Sequence, residues 1–269
     1  MTTFANKTLL ITGGAMGLGK LFAEKGVQEN SRVVLWDINE AALQTTAEQL
    51  KAQGGDVHTY VVDVSDYQAI ERAAKQVLEE VGPIDILFNN AGVVVGANFV
   101  DHTAEQIERT IKINTSGVMH VARMFLPKML EKGEGHVINI ASAAGMISNP
   151  KMSVYAGSKW AVIGWSESLR IELEQMGFRN VRVTTVTPSY INTGMFDGAK
   201  APFLTPILEP DTIVNAVWSG VKNNKIIVRA PLTVYLIPIM KGLMPTRMFD
   251  FIAGKLMGIY KSMEHFKGH

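Results

Sequence analysis

Apolar residues follow two rhythms along this chain. The short runs "KTLLIT" (7–12), "RVVLW" (32–36), "VHTYVV" (57–62), "IDILF" (84–88), "HVINIA" (136–141) and "VRVTTV" (181–186) read as strands. Several are apolar at nearly every position, which suits strands covered on both faces. Between them, apolar residues recur at three- and four-residue steps. That spacing predicts helices over about 17–30, 39–53, 66–81, 103–131, 153–176 and 210–222. Regular strand–helix alternation implies a parallel sheet with right-handed crossovers. The expected fold class is α/β: a single doubly wound parallel sheet of about seven strands with helices on both faces. Ligands in such a sheet sit beyond the carboxyl ends of the strands, so each strand-to-helix junction is a candidate site.

Composition narrows the picture. The 269 residues suffice for one large domain, with 47% hydrophobic and 19% charged residues. A net charge of +1 without a basic block gives no footprint for nucleic acid. The absence of cysteine excludes disulfides, thiolate metal sites and a cysteine nucleophile, and no metal is expected. The opening "MTTFANKTLLITGG" lacks the basic start and apolar run of a signal peptide. The run "LTVYLIPIM" (232–240) falls short of the ~20 residues that span a bilayer. A cytoplasmic protein is expected, with peripheral membrane contact through 241–269 as an alternative.

The junctions carry the chemistry. "TGGAMGLG" (12–19) joins the first strand to the first helix. Its glycines would let the backbone approach a pyrophosphate, and the helix N-terminus offers N–H groups to it. Gly13, Ala15, Met16, Gly17, Leu18 and Gly19 are therefore candidate cofactor contacts. The rival reading is a glycine-rich turn needed only for packing. Asp37 ends the second strand, about 20 positions further on, where a carboxylate can accept from ribose hydroxyls of NAD. It would repel the 2′-phosphate of NADP, and no Arg or Lys at 38 or in the glycine loop offsets it. NAD is thus expected over NADP, with Ile38 beside it. The rival for Asp37 is a helix N-cap. Asp63 and Val64 at the third junction suit an adenine ring, unless Asp63 or Ser65 merely caps the next helix. Asn90, Ala91 and Gly92 in "FNNAGVV" offer close backbone approach, unless the asparagines only hold neighbouring strands.

Ser142 follows the fifth strand, and Tyr155 and Lys159 stand four apart on the next helix, hence on one face. A hydroxyl, a phenol and an ammonium converge there, which fits proton transfer to a carbonyl oxygen while a hydride moves at its carbon. A phenol with pKa near ~10 needs help at neutral pH, and Lys159 would favour the phenolate. Asn114, inside the long helical pattern, reads either as a kink or as a residue holding a relay water.

"TGGAMGLG", "NNAG", Asn114, Ser142 and "YAGSK", in this order, resemble the short-chain dehydrogenase/reductase family over residues 5 to 230. The resemblance implies a Rossmann-type domain carrying both cofactor and substrate sites. It implies a tetrad of Asn114, Ser142, Tyr155 and Lys159, with Tyr155 as acid/base and Lys159 also binding the nicotinamide ribose. Ser142 would orient the substrate oxygen. "VLWDIN", "VHTYVVDVS", "NNAGVV", "IASAAG" and "KSMEHFKG" are similar to the branch of 17β-hydroxysteroid and retinol dehydrogenases. The family often places Pro-Gly and then a nicotinamide-contacting Thr after the sixth strand. This chain has "PSYINTGM", so Pro188, Ile191 and Thr193 are the corresponding candidates, with Ser189 in place of the glycine. A homodimer or homotetramer through the helices around 103–131 and 153–176 is also implied.

Residues 189–209 form the expected substrate lid within a domain spanning 1–230, and 231–269 an amphipathic extension. Tyr190, Met195, Phe196, Phe203, Leu204, Ile207 and Leu208, with Met146, Ile147 and Met152, predict an apolar pocket for a lipophilic secondary alcohol or ketone. In the tail, Met248, Ile252, Leu256, Ile259 and Met263 predict one apolar stripe, with Lys255, Lys261 and Lys267 adding charge. That tail packs on the domain or a sister subunit, covers the pocket, or lies on a membrane.

Overall fold

A computed structural model describes residues 1–203 and 205–266. The expectations for Leu204 and Lys267 lie outside the described residues. Seven strands form one parallel sheet in the order β3-β2-β1-β4-β5-β6-β7. They are β1 (Thr8–Thr12), β2 (Arg32–Asp37), β3 (Val57–Val61), β4 (Ile86–Asn89), β5 (Gly135–Ile140), β6 (Val181–Pro188) and β7 (Ile227–Ala230). The sequence pattern delimits the first six; β7, four residues with alternating burial, carries too little periodicity to stand out. The chain crosses to α1 (Gly17–Gln28), α2 (Glu40–Ala52), α3 (Tyr67–Glu80), α4 (Ala104–Ile111), α5 (Val118–Lys132), α6 (Ser153–Gln175) and α7 (Pro210–Lys222) between strands.

Side-chain alternation builds two cores from one sheet. Leu9 and Ile11 of β1, Val33 and Leu35 of β2 and Ile86 and Phe88 of β4 pack against α1, α2 and α7. Leu10, Val34, Trp36 and Leu87, their neighbours along the same strands, face α3 and α5. Both faces being covered explains why these strands read as continuous apolar runs. The expected doubly wound sheet is observed. Strand order reverses between β1 and β4, so the crevice for a ligand opens at their carboxyl ends.

Two departures matter. The long pattern at 103–131 is not one helix. A π-helical turn, Lys112–Gly117, separates α4 from α5, and such wide turns favour functional sites. The tail is not one amphipathic helix either. It runs through a short turn (Leu232–Tyr235), α8 (Leu236–Leu243), α9 (Thr246–Phe251) and a π turn (Ile252–Leu256). Gly258, in the left-handed region at φ 70°, then breaks the path before a short 3-10 turn, Ile259–Lys261. The π turn shifts the buried face, so Phe249, Ala253, Ile259 and Met263 are buried while Met248 and Leu256 are exposed. The predicted stripe is thereby corrected. No helix among the described residues is long and apolar enough to cross a membrane.

Candidate active site

An open groove runs across the carboxyl ends of the strands. Asp37, Ile38, Asp63 and Val64 line it from β2 and the loop after β3, and Gly13, Met16, Gly17 and Leu18 from the first junction. Asn90, Ala91, Gly92, Pro188, Ile191 and Thr193 line it as well. Gly17 is held at φ 55°, and a Cβ added there would meet only Thr193, at 3.8 Å, so its backbone faces open space. Met16, the N-cap of α1, supplies no capping side chain, and the first turn holds no acidic residue. The N–H groups of that turn are therefore available to an anion.

Ala15 and Gly19 do not line this groove. The Ala15 N–H donates to Asp37 Oδ2 at 3.0 Å and its carbonyl accepts from Thr46. A Cβ on Gly19 would lie 1.9 Å from the Gly13 carbonyl oxygen, so this glycine permits close helix–strand contact. Asp37 also accepts from the Asn39 N–H at 3.0 Å, but Asn39 is the cap of α2. Likewise Asp66 caps α3, and Asp63 holds the Ser65 N–H at 2.8 Å. The two capping rivals are thus excluded. Asn90 does hold a strand: its Nδ2 donates to the carbonyls of Thr12 and Gly13, both at 3.0 Å. That grip fixes the glycine loop while the residue still borders the groove.

Tyr155 and Lys159 are 5% and 4% exposed, one turn apart on α6. A buried polar line anchors that helix. Asn89 donates to Asn139, Asn139 donates to Ser166 of α6, and Asn114 donates to Ser158 at 3.1 Å. Asn114 is fully buried in the π turn, and its amide also binds both backbone groups of Val93 at 2.8 Å. With both N–H groups committed, Asn114 retains only acceptor capacity for a water. Lys159 Nζ donates to the Ile140 carbonyl at 2.8 Å and lies 5.7 Å from the Tyr155 ring centre. Burial pushes the phenol up to about 12; the Ser142 hydroxyl opposes the rise and Tyr190 adds to it. Burial brings Lys159 down to about 8. The expectation that the ammonium would draw the phenol downward is not met here, because removing both groups from water favours both neutral forms.

The short chain dehydrogenase family matches residues 7–202. The chain belongs to that family. Estradiol 17-beta-dehydrogenase 11 of Rattus norvegicus is 35% identical over 94% of this chain and 84% of its own. Epidermal retinol dehydrogenase 2 of Mus musculus is 35% identical over 98% and 86%. Among solved structures, a short chain dehydrogenase/reductase from Burkholderia phymatum in complex with NAD superposes with a TM-score of 0.82, at 29% identity, covering 90% of this chain and 96% of that one. A short-chain dehydrogenase from Sphingobium yanoikuyae in complex with NADPH gives 0.77 at 28% identity, covering 91% and 96%. The chain is a short-chain dehydrogenase of the steroid and retinol dehydrogenase branch and an NAD(P)-dependent oxidoreductase. Its open glycine loop, free helix N-terminus and acidic strand end fit a nicotinamide dinucleotide.

Beside the groove lies a second, smaller apolar pocket, walled by Ile147, Met152, Phe196, Val234, Ile237 and Ile259. Ser142, Ser189 and Phe196 line both spaces. Of the apolar lid expectations, Tyr190 and Phe196 face this cavity and Met195 faces the groove. Phe203 and Ile207 instead point outward, 67% and 40% exposed. The tail supplies walls of this pocket, one of the placements that the sequence left open. Ile259 lines the cavity, and Met263 packs with Tyr155 and Met152. Arg109 of α4, which also borders the groove, carried no signal beyond an ordinary charged helix position. Ser189 adopts no left-handed backbone, and its N–H donates to the Ala230 carbonyl at 2.8 Å. The family's glycine is therefore not needed for this chain's path.

Proposed function

We propose that this short-chain dehydrogenase interconverts a lipophilic secondary alcohol and its ketone with NAD. The observation that carries the reading is the shared wall: Ser142 borders both the dinucleotide groove and an apolar cavity, with Tyr155 beside it. A bound nicotinamide exchanges hydride with the substrate carbon. Tyr155 exchanges the proton at the substrate oxygen, and Ser142 hydrogen-bonds that oxygen to position it. Lys159 holds the nicotinamide ribose and supplies charge beside the phenol. Asn114 holds a relay water with its remaining acceptor. Gly13, Met16, Gly17 and Leu18 receive the pyrophosphate, Asp37 and Ile38 the adenosine ribose, and Asp63 and Val64 the adenine. Ala91, Gly92, Pro188, Ile191 and Thr193 surround the nicotinamide end, with Asn90 supporting the loop. Residues 1–230 with the 189–209 lid act as the reacting domain, and the 231–269 extension packs on it, with Val234, Ile237 and Ile259 completing the substrate cavity. A homodimer or homotetramer through α4, α5 and α6 completes the reading.

The Asp37 carboxylate supports NAD over NADP. Its two oxygens are fixed by backbone N–H groups and aimed at the groove, where a 2′-phosphate would meet like charge. The test follows absorbance of reduced nicotinamide with apolar and short polar secondary alcohols, each with NAD and NADP. Turnover of apolar alcohols with NAD is expected. Turnover with NADP alone overturns the cofactor assignment, and preference for short polar alcohols overturns the substrate class.

A further inference from the structure

The apolar cavity has a polar corner that the proposed reaction does not use. Asn149, from the loop before α6, lines the cavity together with Tyr190 of the lid. Asn149 Nδ2 donates to Tyr190 Oη at 2.8 Å and to Ser262 Oγ of the tail at 2.9 Å. Tyr190 Oη and Ser262 Oγ are 2.8 Å apart. Asn149 is 8% exposed and Ser262 1%.

Donors and acceptors in this cluster can be counted. The Ser262 proton goes to the Ile259 carbonyl at 2.7 Å. Ser262 Oγ therefore accepts from both Asn149 and Tyr190, and the Tyr190 proton is spent on it. Both N–H groups of Asn149 are spent as well. Turning the amide over would place Oδ1 between the two hydroxyls, which could donate to it only by giving up the Tyr190–Ser262 and Ser262–Ile259 bonds, so the orientation described makes more hydrogen bonds. What remains is an acceptor, Asn149 Oδ1, buried and without a partner. Buried polar atoms are ordinarily paired, and one left without a partner on a residue that lines a ligand cavity asks for a donor.

We propose that Asn149, held by Tyr190 and Ser262, is a second recognition point that accepts a hydrogen bond from a hydroxyl of the substrate. The inference rests on the alcohol–ketone reading above and sharpens it. The preferred substrate is an apolar secondary alcohol, or its ketone, carrying a second hydroxyl away from the reacting carbon. An ether or carbonyl at that place would set lone pair against lone pair. Because Ser262 belongs to the tail and Tyr190 to the lid, these two segments orient the specificity group together.

The experiment compares dodecan-2-ol with dodecane diols that add a second hydroxyl at successive carbons, and with the matching methyl ethers, using the full chain and NAD. At the carbon that reaches Asn149, kcat/KM should rise at least about tenfold over dodecan-2-ol, and the ether should lose the gain. Asn149→Leu should cancel the gain, bringing the ratio of kcat/KM for that diol to kcat/KM for dodecan-2-ol down to about one. Tyr190→Phe keeps the ring against Phe196 but releases the amide, and should cut the gain several-fold even if Asn149→Leu fails to fold. Turnover of dodecan-2-ol with no diol exceeding it overturns this proposal alone, as does a gain that survives both variants. Silence of every alcohol with NAD and NADP overturns the alcohol–ketone reading and this proposal with it.

Discussion

Tyr155 is buried beneath Phe196, whose ring stands edge-on at 6.0 Å, and beside Met263. With its ring covered there, Tyr155 meets the groove only at its edge, so proton exchange runs through the substrate side and the Lys159–Asn114 side. Tyr155→Phe removes only the hydroxyl. It should lower turnover by ~10² to 10⁴ while NAD affinity, followed by fluorescence titration, stays within about twofold. Full turnover in that variant would remove Tyr155 from the reaction. The pH dependence follows from the same burial. With the phenol near 12 and the ammonium near 8, both are mostly protonated at neutral pH. Alcohol oxidation needs a proton acceptor, so its kcat/KM should climb from about pH 7 to about pH 10. Ketone reduction consumes the proton and should stay level, then fall, over the same interval. A level oxidation profile would contradict the burial argument.

At the scale of elements, the site depends on how closely α1 approaches β1. Gly19→Ala would drive its Cβ into the Gly13 carbonyl, which is backbone and cannot swing aside. A loss of ~1–3 kcal/mol in urea unfolding is expected, with weakened NAD binding. Gly157→Ala is the counterpart. Gly157 lies on α6 between Tyr155 and Lys159, exposed, with nothing within 4 Å of an added Cβ. It should stabilise by ~0.5–1 kcal/mol. Unchanged stability of Gly19→Ala would mean that the first junction is looser than its contacts indicate. The junction glycines were legible in the sequence because their spacing sits between a strand and a helix. Their division of labour was not: Gly17 opens toward the groove and Gly19 closes on β1, a distinction set by backbone direction.

At the scale of the molecule, the tail and the lid close one cavity. The Lys200 N–H donates to the Ser262 carbonyl at 2.8 Å, and the Phe203 N–H to the Met257 carbonyl at 2.9 Å. Met263, 1% exposed, is the tail residue set among Tyr155, Met152 and Ala156. Met263→Ala should cost ~2–5 kcal/mol in chemical denaturation. It should also raise KM for apolar alcohols without moving NAD affinity. A KM that stays constant despite the lost stability would place the tail outside the substrate site.

The sequence by itself determined the parallel sheet, since runs apolar at nearly every position need cover on both faces. It also brought Ser142, Tyr155 and Lys159 together, because junction position and helical period are local properties. Tertiary structure decided the rest. The π turn at Asn114 depends on bonds to Val93 and Ser158, 21 and 44 positions away in the chain. The proton balance of Tyr155 depends on burial, which no spacing rule reports. The tail's buried face depends on one extra residue in a turn and on Gly258, and the Asn149–Tyr190–Ser262 corner joins segments up to 113 positions apart. Such contacts arise only when separate elements pack, so no periodicity within any one of them records the partner.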